Sequence, residues 1–484
     1  MKLTELIKNL TPLKINGKSD IGINKIEYDS RKVTQNDVFV AIRGYKTDGH
    51  KYIEQAVKNG AAAVIAEEHT ENIKACEIIV DNTRRALSLA AATYYGEPAK
   101  KMKLIGVTGT NGKTTTTYLV KSVLEFTGHK VGLIGTNQNM IGNKVIPTEH
   151  TTPESLELQK LFADMVSEGA EYCIMEVSSH SLCLDRVYGI PFYIGAFTNL
   201  TQDHLDFHKT MDEYAKAKSI LFTMCEGAVV NADDDYVKTI IGNADCKIVK
   251  YGIDKKCDIC AKNIKYNQRG VLFEVDTPFG NENIRLDIPG RFSVYNALCA
   301  IGICQGTGIG ISDIAKALVL AKGVKGRAEV VNIPTDYTVM IDYAHTPDGL
   351  ENIIKTVKGF AKGRVITVFG CGGDRDSAKR PKMGKIAGDL SDFCVVTSDN
   401  PRTEDPEAIL KDILEGMKDV KADFAAICDR TDAIEYAMRH AKANDVIILA
   451  GKGHETYQIL KDKTIHYDER EIVRDILAKI NSEA

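Results

Sequence analysis

The chain has 484 residues, of which 44% are hydrophobic and 26% charged, and its formal net charge is −4. This length corresponds to about three domains of ordinary globular composition, and the slightly negative charge excludes nucleic-acid binding through a basic surface. The sequence has no apolar run near the roughly 18 residues of a membrane helix, and its first charged residues are not followed by a signal-peptide core. We therefore expect a cytoplasmic protein without membrane insertion.

Short strands alternate with helices over residues 1–99. Helical patterns cover residues 52–57 and 86–95, and apolar runs at 61–66 and 77–80 predict strands. The Gly-Glu-Pro sequence at 96–98 is typical of a break between elements. These patterns predict a first α/β domain over residues 1–99.

A glycine-rich loop follows the apolar strand predicted at 104–107. Its glycines fall at positions 106, 109 and 112 and are followed by Lys113 and Thr114, which open a helical pattern. The general phosphate-loop pattern would instead need glycine at Val107. Glycines allow backbone N–H groups to approach phosphate oxygens, and the start of a helix adds positive potential. The loop therefore predicts nucleotide binding, with Lys113 on the phosphates and the Thr114 hydroxyl on Mg²⁺.

Polar residues follow two later strands of the same region. Glu176 lies in the apolar strand predicted at 172–177, where an unpaired carboxylate would be costly, so we expect a cation beside it. A Mg²⁺ shared with Thr114 would satisfy it, and a structural salt bridge is the alternative. The polar segment 199–208, which follows the strand predicted at 194–198, suits metal or phosphate contacts.

The remaining pattern predicts two units built on parallel strands. Residues 100–325 alternate strands and helices, with a small antiparallel insertion at 247–284, and glycines at 323 and 326 mark the next boundary. Residues 326–484 predict a doubly wound unit with strands at 338–343, 365–369, 393–397 and 446–449. Functional residues in such units gather at the carboxyl ends of strands.

Four motifs together resemble those of the Mur ligase family, the ATP-dependent amide ligases of peptidoglycan precursor synthesis. They are G-T-N-G-K-T at 109–114, M-E-V-S-S-H at 175–180, T-N-L-T-Q-D-H-L-D at 198–206 and D-Y-A-H-T-P at 342–347. D-S-R-K-V at 29–33, with Gly49 and His50, resembles the UDP-sugar domain of some members. The similarity extends essentially end to end. It implies three α/β domains: a UDP-binding domain, a central P-loop ATPase-like domain and a Rossmann-like C-terminal domain.

The resemblance implies a mechanism in which ATP phosphorylates a peptide carboxylate and an amine then attacks the acyl phosphate. Phosphoryl transfer depends on positioning and charge neutralisation, which lysines, metal ions and backbone N–H groups supply. The residues that match nucleotide-binding positions are Gly109, Thr110, Asn111, Gly112, Lys113, Thr114, Thr115, Asn296, Arg327 and Asp342.

The resemblance also implies two Mg²⁺ ions and three catalytic residues, Lys113, His204 and Lys218. Thr114 and Glu176 would hold one ion, and His204 would help to hold the other. Lys218 matches a family lysine that CO₂ converts to a carbamate, an anion able to support the second metal. The residue pattern alone predicts that Lys218 is a surface lysine on a helix.

The implied acceptor substrate is UDP-N-acetylmuramoyl-L-alanyl-D-glutamate. The matching positions, for the uridine, sugar, diphosphate or peptide, are Ser30, Thr151, Thr152, Ser178 and Arg186. A surface ion pair is the alternative for Arg186. Leu184 stands where such enzymes often carry Gln. One hydrogen bond to the substrate is therefore either absent or made by another residue.

The D-N-P-R sequence at 399–402 matches family members that add meso-diaminopimelate. A guanidinium at Arg402 would bind the distal carboxylate that distinguishes this substrate from lysine. The implied amino-acid site comprises Arg375, Asp399, Asn400, Pro401, Arg402, Gly451 and Glu455. A turn before a helix is the alternative for D-N-P-R.

Several alternative functions remain open at the level of sequence. The nearest is the L-lysine-adding form of the same ligase, and a member that adds D-Ala-D-Ala also has a comparable first domain. Folylpolyglutamate synthetase shares the ATP-dependent core but would leave the first hundred residues unexplained. A nucleotide-binding regulator or scaffold without ligase activity is the alternative from another class. We expect a monomer, although no sequence feature indicates the oligomeric state.

Overall fold

The computed structural model describes residues 1–44, 47–148, 150–267, 270–321 and 323–483, and it arranges them around three large sheets that follow one another along the chain. Most neighbouring strands in these sheets are parallel, and helices connect them. The predicted α/β class is therefore confirmed. The domain limits at 99/100 and 325/326 stay predictions.

The first domain contains a five-stranded sheet within its described residues. Its strands are β1 (Lys14–Asn16), β2 (Ile26–Glu27), β3 (Val38–Val40), β4 (Ala63–Ala66) and β5 (Cys76–Ile79), and its helices are α1 (Leu3–Leu6), α2 (Ile53–Lys58) and α3 (Thr83–Tyr94). The strand order is β1-β5-β4-β3-β2, with β1 antiparallel to β5. The Asn82 side chain begins α3 by accepting hydrogen bonds from the next free backbone N–H groups.

The central domain carries an eleven-stranded sheet over the residues that the structure describes. Its strands are β6 (Lys103–Thr108), β7 (Val131–Ile134), β8 (Asn139–Ile141), β9 (Lys144–Ile146), β10 (Tyr172–Glu176), β11 (Phe192–Phe197), β12 (Cys225–Asn231), β13 (Lys247–Gly252), β14 (Ile259–Asn267), β15 (Gly270–Thr277) and β16 (Gly280–Leu286). Its helices are α4 (Lys113–Phe126), α5 (Ser155–Ser167), α6 (Ser179–Cys183), α7 (Leu205–His208), α8 (Met211–Ser219), α9 (Val237–Ile240), α10 (Arg291–Gly306) and α11 (Ile311–Leu320). The order is β16-β15-β14-β13-β12-β11-β6-β10-β7-β8-β9.

The antiparallel insertion is shorter than predicted and joins the main sheet. Strand β13 pairs parallel to β12, because α9 lies between them as a crossover connection. The antiparallel pairing begins only at β14–β15 and continues at β15–β16. A second antiparallel extension, β7-β8-β9, lies at the opposite edge of the sheet.

The third domain, over its described residues, has a six-stranded sheet and a separate hairpin. Its strands are β17 (Glu329–Val330), β18 (Thr338–Asp342), β19 (Val365–Phe369), β20 (Phe393–Val396), β21 (Asp423–Ala426), β22 (Val446–Ala450), β23 (Tyr457–Ile459) and β24 (Thr464–His466), and its helices are α12 (Pro347–Lys358), α13 (Lys379–Leu390), α14 (Pro406–Glu415), α15 (Arg430–Arg439) and α16 (Glu469–Glu483). The sheet order is β17-β18-β22-β19-β20-β21, and β23 pairs with β24. Among the helices of the described residues, none is long and apolar enough to cross a membrane.

Parallel pairing brings the carboxyl ends of several strands to one edge of each sheet. In the central sheet, Glu176 of β10 lies beside Val107 of β6, and Phe197 of β11 lies beside Thr108. In the third sheet, Asp342 lies beside Ala450. The loops that follow these strands carry the polar motifs of the sequence.

Candidate active site

The glycine-rich loop between β6 and α4 is held tightly against the neighbouring strand end. Gly109 has φ +147° and Gly112 has φ +87°, and a side chain on either would collide with Thr198 or Asn296. Backbone hydrogen bonds tie Thr110 and Asn111 to Asn199. The two glycines are therefore required both for the backbone conformation and for the close approach of neighbouring side chains.

Lys113 and Thr114 lie at the start of α4, where the sequence predicts phosphate contacts. Lys113 Nζ donates to the carbonyl oxygens of Gly109 and Thr110, both at 2.8 Å. Arg327, from the third domain, donates to the Thr114 hydroxyl at 3.2 Å. Three cationic or polar groups from two domains thus converge at a helix N-terminus, an arrangement suited to a polyphosphate.

Glu176 is a buried carboxylate at the end of β10, with 1% of its surface exposed. Its oxygens accept hydrogen bonds from the Thr136 backbone N–H at 3.0 Å and the Thr136 hydroxyl at 3.1 Å. Among the described residues, no Lys, Arg or His nitrogen lies within 4.0 Å of it, so the alternative of a structural salt bridge is wrong. A cation bound from solution would neutralise the charge of this buried carboxylate.

The polar segment after β11 places Asp203 and His204 next to each other. The His204 backbone has φ +55°, and its Nε2 lies 3.3 Å from Asp203 Oδ2. The His180 and His204 rings meet edge to face at 4.9 Å. Burial lowers the pKa of the His204 imidazole despite the nearby Asp203 carboxylate. The ring is therefore neutral near pH 7, which is the form that binds metals.

Lys218 is buried in α8, with 1% of its surface exposed. Its Nζ donates to the Gly109 carbonyl at 3.0 Å and lies 4.4 Å from the Tyr214 ring centre. The surface position that the residue pattern suggests is wrong, because this face of α8 packs behind the loop. Burial, followed by the nearby Lys113, lowers the pKa of the Lys218 amine well below its ordinary value.

Two cavities meet at the glycine-rich loop. One has a volume of about 260 Å³ and the other about 300 Å³, and Asn111, Gly112, Arg327 and Tyr343 line both. The first also includes the predicted residues Thr115, Asn296 and Asp342. The second gathers predicted residues from all the site motifs of the second and third domains: Thr110, Lys113, Thr114, Thr151, Glu176, Ser178, His204, Arg375, Asp399, Asn400, Arg402, Gly451 and Glu455.

The first cavity has the composition of a nucleoside site. The aromatic residues Phe292 and Tyr295 contribute to its walls. Asp342 accepts a hydrogen bond from the Ala328 backbone N–H at 2.7 Å, and burial raises the pKa of its carboxyl group. The cavity therefore offers aromatic surfaces and a half-buried carboxyl group beside the phosphate loop, which suit a base and a ribose.

In the second cavity, two loops of the third domain are joined around Arg402. Its backbone has φ +54°, and its guanidinium donates to the Gly373 carbonyl at 2.8 Å. Asn400 Nδ2 donates to Glu455 Oε2 at 2.8 Å. Arg375 is exposed and extends from the same loop as Gly373. The D-N-P-R sequence is thus part of a charged wall, with two guanidinium groups and two carboxylates counting Asp399.

Within the described residues, six predicted site residues lie outside the walls of both cavities: Ser30, Gly109, Thr152, Arg186, Lys218 and Pro401. Thr152 still contacts the wall, because its hydroxyl lies 3.3 Å from that of Ser178. Arg186 donates to the Thr152 carbonyl at 3.0 Å and lies 3.3 Å from Glu154. Ser30 is buried in the first domain, in a short turn capped by Asp29.

Sequence reasoning missed several residues that line the cavities. Lys379, the first residue of α13, is 5% exposed and donates to the His345 carbonyl at 2.9 Å. His345 Nδ1 lies 2.8 Å from the Tyr343 carbonyl, and burial, with Lys379, lowers the pKa of its ring to about 4. Lys379 follows a loop at the carboxyl end of β19, so the strand-end rule was the signal that could have found it.

The residues present fit a magnesium ion that is shared with a nucleotide. The described residues contain no group of three or more His, Cys, Asp or Glu side chains able to hold a metal alone. Mg²⁺ commonly takes only one or two carboxylates and completes its shell with phosphate oxygens and water. Glu176 and Thr114 line the same cavity and provide such a partial shell.

Comparison with known families matches all three regions of the chain. Residues 22–95 match "Mur ligase family, catalytic domain", residues 107–304 match "Mur ligase middle domain" and residues 326–453 match "Mur ligase, glutamate ligase domain". These segments contain the glycine-rich loop, Glu176, His204 and the D-N-P-R sequence.

Similar proteins cover the chain nearly end to end. A protein of Clostridium botulinum named UDP-N-acetylmuramoyl-L-alanyl-D-glutamate--2,6-diaminopimelate ligase is 54% identical over 466 residues, covering 95% of this chain and 96% of its own. One of the same name from Clostridium tetani is 50% identical, covering 99% and 100%. A solved structure of a ligase of that name is 31% identical, with a TM-score of 0.71 and 99% of both chains covered.

Proposed function

Because this chain belongs to the Mur ligase family, we propose that it is the ATP-dependent ligase that adds meso-2,6-diaminopimelate to UDP-N-acetylmuramoyl-L-alanyl-D-glutamate. The γ-phosphoryl group of ATP moves to the D-glutamate carboxylate, which gives ADP and an acyl phosphate. A neutral amine of diaminopimelate attacks the acyl carbon, an amide bond forms, phosphate leaves with the C–O bond electrons, and the nitrogen releases one proton to water. The product is a UDP-linked tripeptide for peptidoglycan.

One observation carries this proposal. The cavity of about 300 Å³ is lined both by the phosphate loop and by the charged wall of the third domain. Lys113 and Arg402 therefore face a common space, although they lie in different domains. A phosphorylated carboxylate and an attacking amine must meet within about 3–3.5 Å, and such a shared cavity provides this proximity.

The phosphate loop positions ATP. Backbone N–H groups at the start of α4, from Lys113 to Thr115, and the Lys113 ammonium bind the β- and γ-phosphates, and Arg327 adds a guanidinium from the third domain. Binding would replace the present contacts of Lys113 with backbone carbonyls. Asn296 and Asp342 hold the nucleoside in the neighbouring cavity.

Glu176, Thr114 and His204 would hold Mg²⁺, with one ion shared by Glu176 and Thr114 and a second beside His204. When bound, Mg²⁺ neutralises charge on the phosphate oxygens. Within the described part of the chain, no Lys, Arg or His nitrogen lies within 4.0 Å of the buried Glu176 carboxylate, which supports this assignment. The neutral ring of His204 supports its role as a ligand.

Lys218 would act as a carbamate behind the loop. A neutral amine attacks CO₂ to form an N–C bond and releases one proton, so a lowered pKa favours the reaction. Burial of Lys218 beside Lys113 supplies that condition. The product is an anion next to Gly109, where it would offset the positive charge of Lys113 and support the second metal.

The acceptor substrate would lie along the first and second domains. Thr151 and Ser178 line the reaction cavity, and Thr152 and Arg186 extend the site behind them. Ser30 would bind the uridine end in the first domain, outside the cavity. In this orientation, the uridine end of the acceptor would lie away from the phosphate loop, and its D-glutamate would lie near the loop.

The charged wall would bind diaminopimelate. Arg402, with Arg375, pairs with the distal carboxylate, while Asp399 and Glu455 pair with an ammonium group. Within the described part of the chain, Asp399 Oδ1 is buried without a hydrogen-bond partner, and the Lys452 ammonium forms an ion pair with it at 3.5 Å. The oxygen can therefore still accept a hydrogen bond from a substrate ammonium group. Asn400, Pro401 and Gly451 shape the wall between these charges.

We further propose that the enzyme acts as a monomer in the cytoplasm. The cavity is built from one chain, so the proposed chemistry needs no residue from a second copy. The twelve cysteines, which all lie in described residues, are free thiols, as is usual in a reducing compartment.

The test of this function is phosphate release by the full-length protein with ATP, Mg²⁺, UDP-muramoyl dipeptide and meso-diaminopimelate. We expect release only when all components are present, together with a product whose mass is that of the tripeptide. Lys113→Ala should lose this activity. ATP hydrolysis that ignores the dipeptide and the amino acid would instead favour a nucleotide-binding regulator.

A further inference from the structure

Lys452 is a fully buried lysine behind the charged wall of the third domain. It lies in the loop after β22, between Gly451 and Gly453, and 0% of its surface is exposed. Gly451 and Glu455 of the same loop line the cavity of about 300 Å³, whereas the Lys452 side chain lies behind that wall. Its ammonium therefore acts on the cavity only through its neighbours.

Four oxygen atoms surround the Lys452 ammonium. Nζ donates to the Tyr457 carbonyl at 2.8 Å and to Asn400 Oδ1 at 3.0 Å. It lies 3.5 Å from both Glu455 Oε2 and Asp399 Oδ1. Three of these four partners are residues of the proposed diaminopimelate site, and they come from two different loops.

We propose that Lys452 is the positioning residue of the amino-acid site, whose buried ammonium fixes Asn400, Glu455 and Asp399 and sets the net charge that they present to the substrate. This inference rests on the proposed function. Lys452 does not touch the substrate, because its side chain is buried behind residues that do.

The hydrogen bonds explain the positioning. Asn400 Oδ1 accepts from Lys452 and also from the Ile459 backbone N–H, which leaves its Nδ2 to donate to Glu455 Oε2 at 2.8 Å. Lys452 thereby selects the orientation of the Asn400 amide. Without the ammonium, Asn400 Oδ1 keeps only the Ile459 N–H and Glu455 loses its cationic neighbour, so we expect both side chains to be held less firmly.

The charges explain the selectivity for an amine. Asp399 and Glu455 are two neighbouring carboxyl groups, and Lys452, which lies 3.5 Å from each, offsets part of their negative charge. The buried Arg430 guanidinium also acts on Asp399, so Lys452 is the cation whose removal most directly changes the charge around Glu455. The groups that face Glu455 are Asp399, Lys452, Tyr343 and Tyr457. Burial and Asp399 raise the pKa of Glu455, and Lys452 opposes them. Removal of Lys452 would therefore allow Glu455 to take up a proton at a higher pH.

The test uses the full-length protein and the substitutions Lys452→Met and Lys452→Gln. Both substitutions remove the positive charge. Gln retains a hydrogen-bond donor, so it provides a second neutral variant if the Met variant does not fold. We expect the KM for meso-diaminopimelate to rise by about tenfold or more, as for the loss of a charged hydrogen bond, while the KM for ATP stays within about twofold. The acid limb of kcat/KM for diaminopimelate should move to higher pH by about one unit.

Lys121→Met is the matched control. Lys121 is also a buried lysine, 2.7 Å from Glu125 in α4, but it lines neither cavity. We expect this variant to keep the KM and the pH profile of the wild type. Lys452→Arg, which retains the charge, should keep the acid limb in place even if its KM rises.

The outcomes separate the two proposals. If the wild-type protein shows no diaminopimelate-dependent phosphate release, the proposed function fails. If the wild type is active and a folded, neutral Lys452 variant keeps the wild-type KM for diaminopimelate and the wild-type acid limb, the positioning role is overturned. A loss of thermal stability with both parameters unchanged would likewise assign Lys452 a purely structural role.

Discussion

The side-chain amide of Asn111 donates a 2.7 Å hydrogen bond to Asp348 Oδ2 and so joins the phosphate loop to helix α12 of the third domain. Burial raises the pKa of Asp348, and Asn111 is the largest of the contacts that oppose this shift. Together with the contact between Arg327 and Thr114, this bond holds the two domains in an arrangement that encloses both cavities.

Asp348→Ala should weaken this closure. Loss of one buried hydrogen bond costs about 1–2 kcal/mol, so we expect kcat to fall by about fivefold to thirtyfold. Asp348→Asn keeps an oxygen that can accept the Asn111 hydrogen bond, so its kcat should fall much less. Small-angle scattering with ATP and the dipeptide should show a larger radius of gyration for the Ala variant than for the Asn variant. Equal radii and equal rates would contradict the role of this bond in closure.

Lys218→Ala should reduce ligation by about 10- to 100-fold or more, because it removes a support of the second metal site. Small carboxylic acids such as formate or acetate should restore part of the rate by occupying the place of the carbamate. Lys218→Arg, which keeps a positive charge and cannot form a carbamate, should be as inactive as the Ala variant. Full activity of either variant without additives would rule the carbamate out.

Arg402→Ala should raise the KM for meso-diaminopimelate by about 10- to 100-fold, because a paired carboxylate loses its guanidinium. Nucleotide binding should be nearly unchanged, since Arg402 does not line the proposed nucleoside cavity. Steady-state kinetics with each substrate varied in turn provide the measurement. Wild-type kinetics for diaminopimelate would remove Arg402 from the amino-acid site.

Local patterns predicted the elements that carry the site. The apolar run at 104–107 and the glycines before Lys113 predicted the strand and helix that the structure has as Lys103–Thr108 and Lys113–Phe126. The strands at 172–177 and 338–343 were likewise found to within one residue at each end. Hydrophobic periodicity and glycine are local signals, so they do not require knowledge of the fold.

Tertiary contacts could not be predicted in this way. The bond between Asn111 and Asp348 joins residues 237 positions apart. The burial of Lys218 depends on how α8 packs behind the loop, and a helical lysine has no sequence feature that reports this. Lys452 stands between two glycines, and no local pattern indicates its partners Asn400 and Asp399, because they come from another strand end.

Arg430→Met should destabilise the third domain by about 3–5 kcal/mol, because it leaves the Glu469 carboxylate buried without its partner. Arg430 and Glu469 are both fully buried and lie 2.7 Å apart, and Arg430 also donates to the Ala450 carbonyl at the end of β22. Arg430→Met combined with Glu469→Leu should recover much of the loss. Urea unfolding of the three proteins is the measurement, and additive losses would contradict a coupled pair.

The most direct measurement is the rate of phosphate release with UDP-muramoyl dipeptide and ATP, in which meso-diaminopimelate is compared with L-lysine. L-Lysine lacks the distal carboxylate and would leave Arg402 unpaired, so we expect kcat/KM to favour diaminopimelate by about a hundredfold or more. Equal rates with both amino acids, or a preference for L-lysine, would contradict the assignment of this chain as a diaminopimelate-adding ligase.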